Sequence, residues 1–256
     1  MKNNPNVKHN RSVTKALSII NLLAAAEESL SLKEISKRLD LTPSTAHHII
    51  TSLKMERFVE QDKGSRKYRL GIRCYEIGLS DNYYKVLAEK AKPALKSLAR
   101  ESGESANLAI LVDGQITYIA QEQSTKKQIM KTFVTLGQRS PVHCTGVGKV
   151  LISELPEDEI KKIIRTHGLK KFTASTITSA DDLLKELEIV KQQNYANDRE
   201  EREEGVFCVA VPLINSAGKT IASISLSGPI HRMQKKNPGS IVNSLTNHAS
   251  EISKTL

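Results

Sequence analysis

The sequence predicts an α+β protein in two parts: a small helical unit closed by a two-stranded ribbon, then a larger unit of hairpins flanked by helices. Three observations predict it. Residues 31–70 hold two short amphipathic helical stretches joined by a tight turn, with a basic hairpin directly after them. Residues 83–256 mix hairpin-forming strand pairs with helices at both ends. The length of 256 residues exceeds what the first part needs, so two ordinary domains are favoured. The expected boundaries are 1–71 for the first domain, 72–82 for a linker helix and 83–256 for the second domain.

Charge and cysteine usage narrow the class. Thirty-eight Lys and Arg against 28 Asp and Glu give a formal net charge of +10, with a pI near 9.4, which suits a polyanionic partner. No run of about 18 apolar residues is present, so no membrane span is expected. Residues 1–11 are polar and basic without an apolar stretch, which reads as a flexible arm and not a secretory signal. Cys74, Cys144 and Cys208 are far apart and form neither a zinc set nor a disulfide framework. A reducing cytoplasm is the expected location.

In the first part, Ser12 is expected to cap a helix with a stripe of Val13, Ala16, Leu17, Ile20, Leu23 and Ala24. Ser31 stands three residues before Glu34, the spacing of a capping box, and Ile35 and Leu39 share a face one turn apart. Asp40 and Leu41 close that helix. Thr42 is a good N-cap, and Pro43 suits the first helical position. Ala46, Ile49, Ile50 and Leu53 then face inward, leaving Ser44, Thr45, His47 and His48 near the helix start. There a recognition helix presents side chains to base edges in the major groove. Residues 58–61 and 66–70 form the ribbon around the turn at 62–65. Its Lys63, Arg66, Lys67 and Arg69 have no acid among them, which suits a wing that touches phosphates or the minor groove. Solvated surface charge is the plainer reading of each part alone. Capping box, polar helix face and basic hairpin in this order favour DNA, with Thr42 counted among the contacts.

Residues 72–82 permit a short helix through Ile72, Tyr75, Glu76 and Leu79, either a dimer contact or a plain connector. A longer amphipathic helix over 83–101 places Leu87, Ala91, Leu95 and Leu98 on one face, and Pro93 predicts a kink or split. Strands follow at 106–112 and 115–121 around Asp113-Gly114, a strong hairpin signal, and another at 129–136. Residues 136–151 read as extended chain, a small-residue turn over 144–148, and a helix with Val150, Leu151 and Ile152. Bare amides at a helix start bind a carboxylate or phosphate. A nucleotide-binding loop is rejected, because the position that needs its first glycine is His143. Close packing of helix on sheet is the other use of these glycines.

Helices are expected over 156–167 and 179–193, and a charged surface loop or rim over 194–205. The clearest strands are 206–214 and 220–227, turning at 215–218. Ser225 and Ser227 share one face, as do Val206, Cys208 and Ala210. That small, mildly polar side is fit to line a ligand cavity, or else it faces solvent; the opposite side belongs to a core. A last helix covers 240–254.

These residues carry a likeness. The chain resembles the IclR-type (isocitrate lyase regulator) transcription factors over nearly its whole length. Residues 12–17, 44–47 and 66–71 are similar to that family's DNA-binding half. More specific are SPVHCTGVGKVL (140–151), YANDREE (195–201), GVFCVAVPL (205–213) and SLSGP (225–229). The resemblance implies a winged helix-turn-helix, a linker helix and a GAF-like effector-binding domain. It also implies homodimers, often paired into tetramers, on palindromic operators, and effectors that are small organic acids, sugar acids or aromatic acids. The family's pocket positions match Gly146, Val147, Asp198, Val206, Cys208, Ser225 and Ser227; Asp198 comes from the resemblance alone. In some members a metal is plausible near the positions matching His143, Cys144, Asp198 and Cys208. Here burial accounts for the cysteines, and no metal or other cofactor is expected. Pro43 stands where the family commonly has Arg or Lys, and His48 where it has Arg. Operator sequence therefore does not carry over, and His48 makes contact sensitive to pH.

The expected function is regulation of a catabolic operon, most simply by repression. Two recognition helices about 34 Å apart each read a half-site. A small anionic effector rests its acid group on the amides of Gly146 and Val147, with Ser225 and Ser227 on its other polar atoms. Two other readings stand beside it: a DNA-binding protein whose second domain only oligomerises, and an enzyme using His143, Cys144 and Asp198. No nucleophile motif supports the enzyme.

Overall fold

A computed structural model describes residues 10–78, 83–123 and 134–256, and the chain divides into two units, 1–81 and 82–256. In the first, α1 (Arg11–Ala25) is capped by Asn10, whose Oδ1 accepts from the amides of Ser12 and Val13 at 3.1 and 3.3 Å. Ser12 thus lies inside the helix, two residues beyond the true cap. The buried face is Ile19 and Leu23, while Val13 and Leu17 of the expected stripe stand more than half exposed. The helix packs on neighbours from one side only, so its broad apolar stripe is only partly covered.

The capping box forms as spaced: Ser31 N–H donates to Glu34 Oε2 at 2.8 Å and Glu34 N–H to Ser31 Oγ at 3.3 Å, opening α2 (Leu32–Arg38). Thr42 caps α3 (Pro43–Met55), which buries Ala46 and Ile50. β1 (Val59–Gln61) and β2 (Tyr68–Leu70) pair antiparallel, with Val59 opposite Leu70. Leu30 adds two backbone hydrogen bonds to Tyr68, at 2.9 and 2.7 Å, so the ribbon is sewn to the helices. Gly71 follows at the ribbon's base; a Cβ there would come within 2.2 Å of the Arg57 carbonyl oxygen. α4 (Ile72–Gly78) begins at once. Glu76 pairs with Arg57 and, at 3.0 Å, with Arg73. The remainder of the expected linker, 79–82, lies outside the described residues.

In the second unit α5 (Tyr83–Ser102) runs unsplit through Pro93, contrary to the expected break. Pro93 is exposed, so the helical carbonyl that loses its donor there is left to water, not to a dry core. β3 (Ser105–Val112) and β4 (Gln115–Glu122) pair through Asp113 and Gly114, whose φ values of 51° and 76° make the expected two-residue turn. The strand expected at 129–136 falls mostly outside the described residues, and 134–136 are not strand. β5 (Arg139–Ser140), which the sequence did not suggest, pairs with β4.

Helix α6 (Gly146–Ser153) begins at Gly146, so the glycines lie in its first turn and not in a loop before it. α7 (Glu157–His167) and α8 (Ala180–Gln193) follow. β6 (Ala196–Arg199) then corrects the expected charged loop: Asp198 pairs with Cys208 across the ladder and is buried. β7 (Val206–Ile214), β8 (Thr220–Pro229), the short α9 (Ile230–Met233) and α10 (Pro238–Ser253) complete the unit. Among the described residues the strands form one antiparallel sheet in the order β5-β4-β3-β8-β7-β6.

Alternation along the strands gives the sheet two faces. Leu108, Ile110, Val209, Val211, Ile224 and Leu226 pack against α5 and α10 through Leu87, Leu95, Leu98, Leu245 and Ile252. On the other face Ala109, Ala196 and Ala210 lie under α6, α7 and α8 through Val147, Ile152, Ile160 and Leu187. The small residues of that second face let α6 approach closely.

Candidate nucleic-acid interface and ligand pocket

The N-terminal turn of α3 presents Ser44, His47 and His48 to solvent, with Thr45 half-buried. Thr42 Oγ1 accepts the Thr45 amide at 3.2 Å and lies 2.8 Å from Thr45 Oγ1 and 3.1 Å from Ser44 Oγ. Thr42, Ser44 and Thr45 therefore share hydrogen bonds at the cap, and the two histidines stand exposed beyond it. The imidazoles of His47 and His48 are edge to face, 6.3 Å between centroids.

On the hairpin, Asp62 Oδ1 accepts from both the amide and hydroxyl of Ser65 at 2.7 Å, which fixes the turn and lowers the Asp62 pKa. Lys63 and Arg66 are exposed and Lys67 half-buried. Arg69 differs from the expectation of an acid-free cluster: Glu60 stands opposite it in register and pairs with it at 3.3 Å. The acid lies on the other strand, so the run of 63–69 does not reveal it. Lys54 donates to Gln61 Oε1 at 2.9 Å and ties α3 to the ribbon.

In the second unit a cavity of about 120 Å³ opens where the start of α6 meets β6, β7 and β8. Gly146, Asp198, Val206, Cys208 and Ser227 of the expected set border it. Val147 and Ser225 do not. The Val147 side chain is buried in the core beneath α6, and Ser225 is buried 1% exposed behind Asn107. Ser225 shares the face of Ser227, but Asn107 Nδ2 donates to both hydroxyl oxygens, at 3.3 and 3.0 Å, and screens it. Gln121 Nε2 in turn donates to Asn107 Oδ1 at 2.9 Å.

Sequence reasoning missed Asn107, Tyr118, Arg139, Thr145 and Arg202, which also border the cavity. Asn107 carried a signal, a lone amide within the apolar run 106–112. Arg202 carried none, being one charge in a charged run. Larger cavities, of about 430 and 460 Å³, lie by the β7–β8 turn, away from the start of α6.

Thr145 Oγ1 accepts the Gly148 amide at 3.3 Å, so the amides of Gly146 and Val147 are the ones left open. Both glycines also permit contact. A Cβ on Gly148 would meet the Val142 carbonyl oxygen at 2.4 Å, and one on Gly146 the Ala196 carbonyl oxygen at 3.3 Å. Within the same helix Lys149, 1% exposed, reaches Glu201 Oε1 at 2.7 Å and Glu186 Oε1 at 2.9 Å. Asp198 Oδ1 accepts the amides of Glu201 at 2.8 Å and Arg202 at 3.4 Å. Burial nevertheless pushes the Asp198 carboxyl up to about 7.

Burial, and after it the charge of Asp198, pushes the thiols of Cys144 and Cys208 up to about 12, so both stay protonated and weakly nucleophilic. Burial lowers the His143 pKa, and its Nε2 lies 3.0 Å from the Lys170 carbonyl oxygen, not on a nucleophile. Among the described residues no three His, Cys, Asp or Glu side chains gather to hold a metal. No helix among them is long and apolar enough to cross a membrane.

Comparison with known proteins covers both units. The family model described as "Bacterial transcriptional regulator IclR C-terminal" matches residues 84–254, and "IclR helix-turn-helix domain" matches residues 12–63. The HTH-type transcriptional regulator BhcR of Paracoccus denitrificans (strain Pd 1222) is 32% identical over 243 residues, 95% of this chain and 86% of its own. The HTH-type transcriptional repressor AllR of Escherichia coli (strain K12) is 31% identical over 223 residues, 87% of this chain and 82% of its own. The crystal structure of an IclR homolog complexed with 4-hydroxybenzoate from Microbacterium hydrocarbonoxydans shares the fold. Its TM-score is 0.83 at 20% identity, over 95% of this chain and 98% of that one.

Proposed function

The chain belongs to the IclR family of bacterial transcriptional regulators, and from that premise we propose that it acts in the cytoplasm as a repressor of a catabolic operon, released or tightened on DNA by a small anionic metabolite. A DNA-binding transcriptional regulator needs a reading face and a sensing site, and each unit offers one. Ser44, His47 and His48 are exposed at the start of α3, and Lys63, Arg66 and Lys67 are cations of the hairpin. Base edges are read by the first set and phosphates neutralised by the second. A dimer on a palindromic operator sets two such faces about 34 Å apart. The name of the relative AllR, a repressor, supports the sign of control.

One observation carries the sensing half. Gly146, whose amide is open at the start of α6, borders the same cavity as Ser227 and Asn107, which are held by a fixed hydrogen-bond network. The acid group of the metabolite rests on the amides of Gly146 and Val147, and Ser227 meets its other polar atoms. The structure of the Microbacterium homolog with 4-hydroxybenzoate, itself a small acid, is consistent with that chemistry. Binding shifts DNA affinity by as much as the metabolite's affinity differs between the two quaternary states.

Retardation of the chain's own upstream DNA, with and without candidate acids, tests this. Salt-sensitive retardation that an acid alters in the wild type, but not in Val206→Trp with the cavity filled, is the expected result. Retardation altered equally in both variants refutes the pocket, and none at any concentration refutes the regulator reading.

A further inference from the structure

Arg202, exposed, lies on the cavity wall, and the ion pairs among the described residues do not include it. Its guanidinium instead stacks on Phe172, with Cζ 4.0 Å from the ring centroid. The cavity's other arginine, Arg139, is already held by Asp113 at 3.0 Å. A guanidinium presents a planar fork that matches a carboxylate by two parallel hydrogen bonds.

This cation is held in place. The loop that carries Phe172 is fastened to the segment that carries Arg202: Thr173 Oγ1 donates to the Glu200 carbonyl and Thr176 Oγ1 to that of Glu201, both at 2.6 Å. The Arg202 amide is anchored on Asp198. These bonds fix the backbone of Arg202; its exposed side chain rests on the Phe172 ring. The acids on the same wall do not cancel it: Asp198 keeps its proton up to about pH 7, and Glu203 sits half-buried without reaching Arg202. A ligand with one acid group on the Gly146 amide leaves this guanidinium, on the wall of the same cavity of about 120 Å³, without a carboxylate partner.

We propose that Arg202 is a specificity-determining residue of this pocket and that the effector is a short dicarboxylate, one acid group on the start of α6 and the other on the Arg202 guanidinium. The inference rests on the pocket reading above. Calorimetric titration of the full chain with carbon-matched pairs, butyrate against succinate and valerate against glutarate, tests both separately. Each diacid should bind at least about tenfold tighter than its partner, an advantage that falls to about threefold or less in Arg202→Gln while monoacid affinity holds. Monoacids that bind as tightly as diacids, or a diacid advantage that survives in Arg202→Gln, overturn the inference while the pocket stands. Acids that bind unchanged in Val206→Trp, or no binding by any of the four, overturn the pocket and the inference with it.

Discussion

Lys149 Nζ lies 2.7 Å from Glu201 Oε1, a pair that joins the middle of α6 to the segment after β6 with both side chains at least nine-tenths buried. Glu186 of α8 adds a second carboxylate at 2.9 Å. This is how a charged stretch comes to lie inside: its acid finds a cation already buried. Removing one partner leaves an uncompensated buried charge. Lys149→Met should cost about 3–5 kcal/mol in urea unfolding, and Lys149→Met combined with Glu201→Gln markedly less. Equal losses in the single and double variants would refute the pairing.

Asp198 makes stability fall with pH. Its folded-state value stands near 7, above the ordinary 3.8, because burial disfavours the charged form. The folded chain therefore holds a proton that the unfolded chain releases, and stability is lost as pH rises from about 4 through 7. The loss is on the order of a few kcal/mol, and Asp198→Asn should abolish that part of the slope. Unfolding free energies across that range check it. An anionic ligand should likewise bind more weakly once Asp198 ionises.

The hairpin cations should act through counterion release. Lys63→Ala and Arg66→Ala should each lower the slope of log affinity against log salt by about 0.9, with little change in sequence preference. His47→Ala should do the reverse, costing about 1–3 kcal/mol at one base pair and leaving the slope alone. Glu60→Gln frees Arg69 from its partner across the ribbon and should steepen the slope. Binding titrations across a salt series distinguish the three.

Ser31→Ala removes the hydroxyl that accepts the Glu34 amide and donates to Glu34 Oε2, leaves the backbone half of the box that opens α2, and should cost about 0.5–2 kcal/mol. Thermal unfolding of the full chain, followed through the first unit, measures it.

What could be seen in the sequence was whatever depends on near neighbours. The Ser31 and Glu34 box, the Asp113-Gly114 turn and the two faces of β7 and β8 each need only a few adjacent residues. What could not be seen depends on remote partners. Glu201, just after β6, reads as polar surface until Lys149, far away in the chain, pairs with it. Ser225 looks equivalent to Ser227 until Asn107 crosses in front of it. Arg202 is one charge among many until Phe172 gives it a platform. The helix of Pro93 continues because that residue faces water, which periodicity does not state. Asn10 displaced Ser12 as cap because its Oδ1 takes the amides of Ser12 and Val13, and local pattern does not choose between two capping residue types so near each other.

Gly71 leaves the ribbon no slack. A methyl group there would overlap the Arg57 carbonyl, and Glu76 clamps the following helix back to Arg57 and Arg73. The base of the hairpin and the start of α4 are thus joined twice through Arg57, by its backbone carbonyl, which accepts the Arg73 amide, and by its side chain on Glu76.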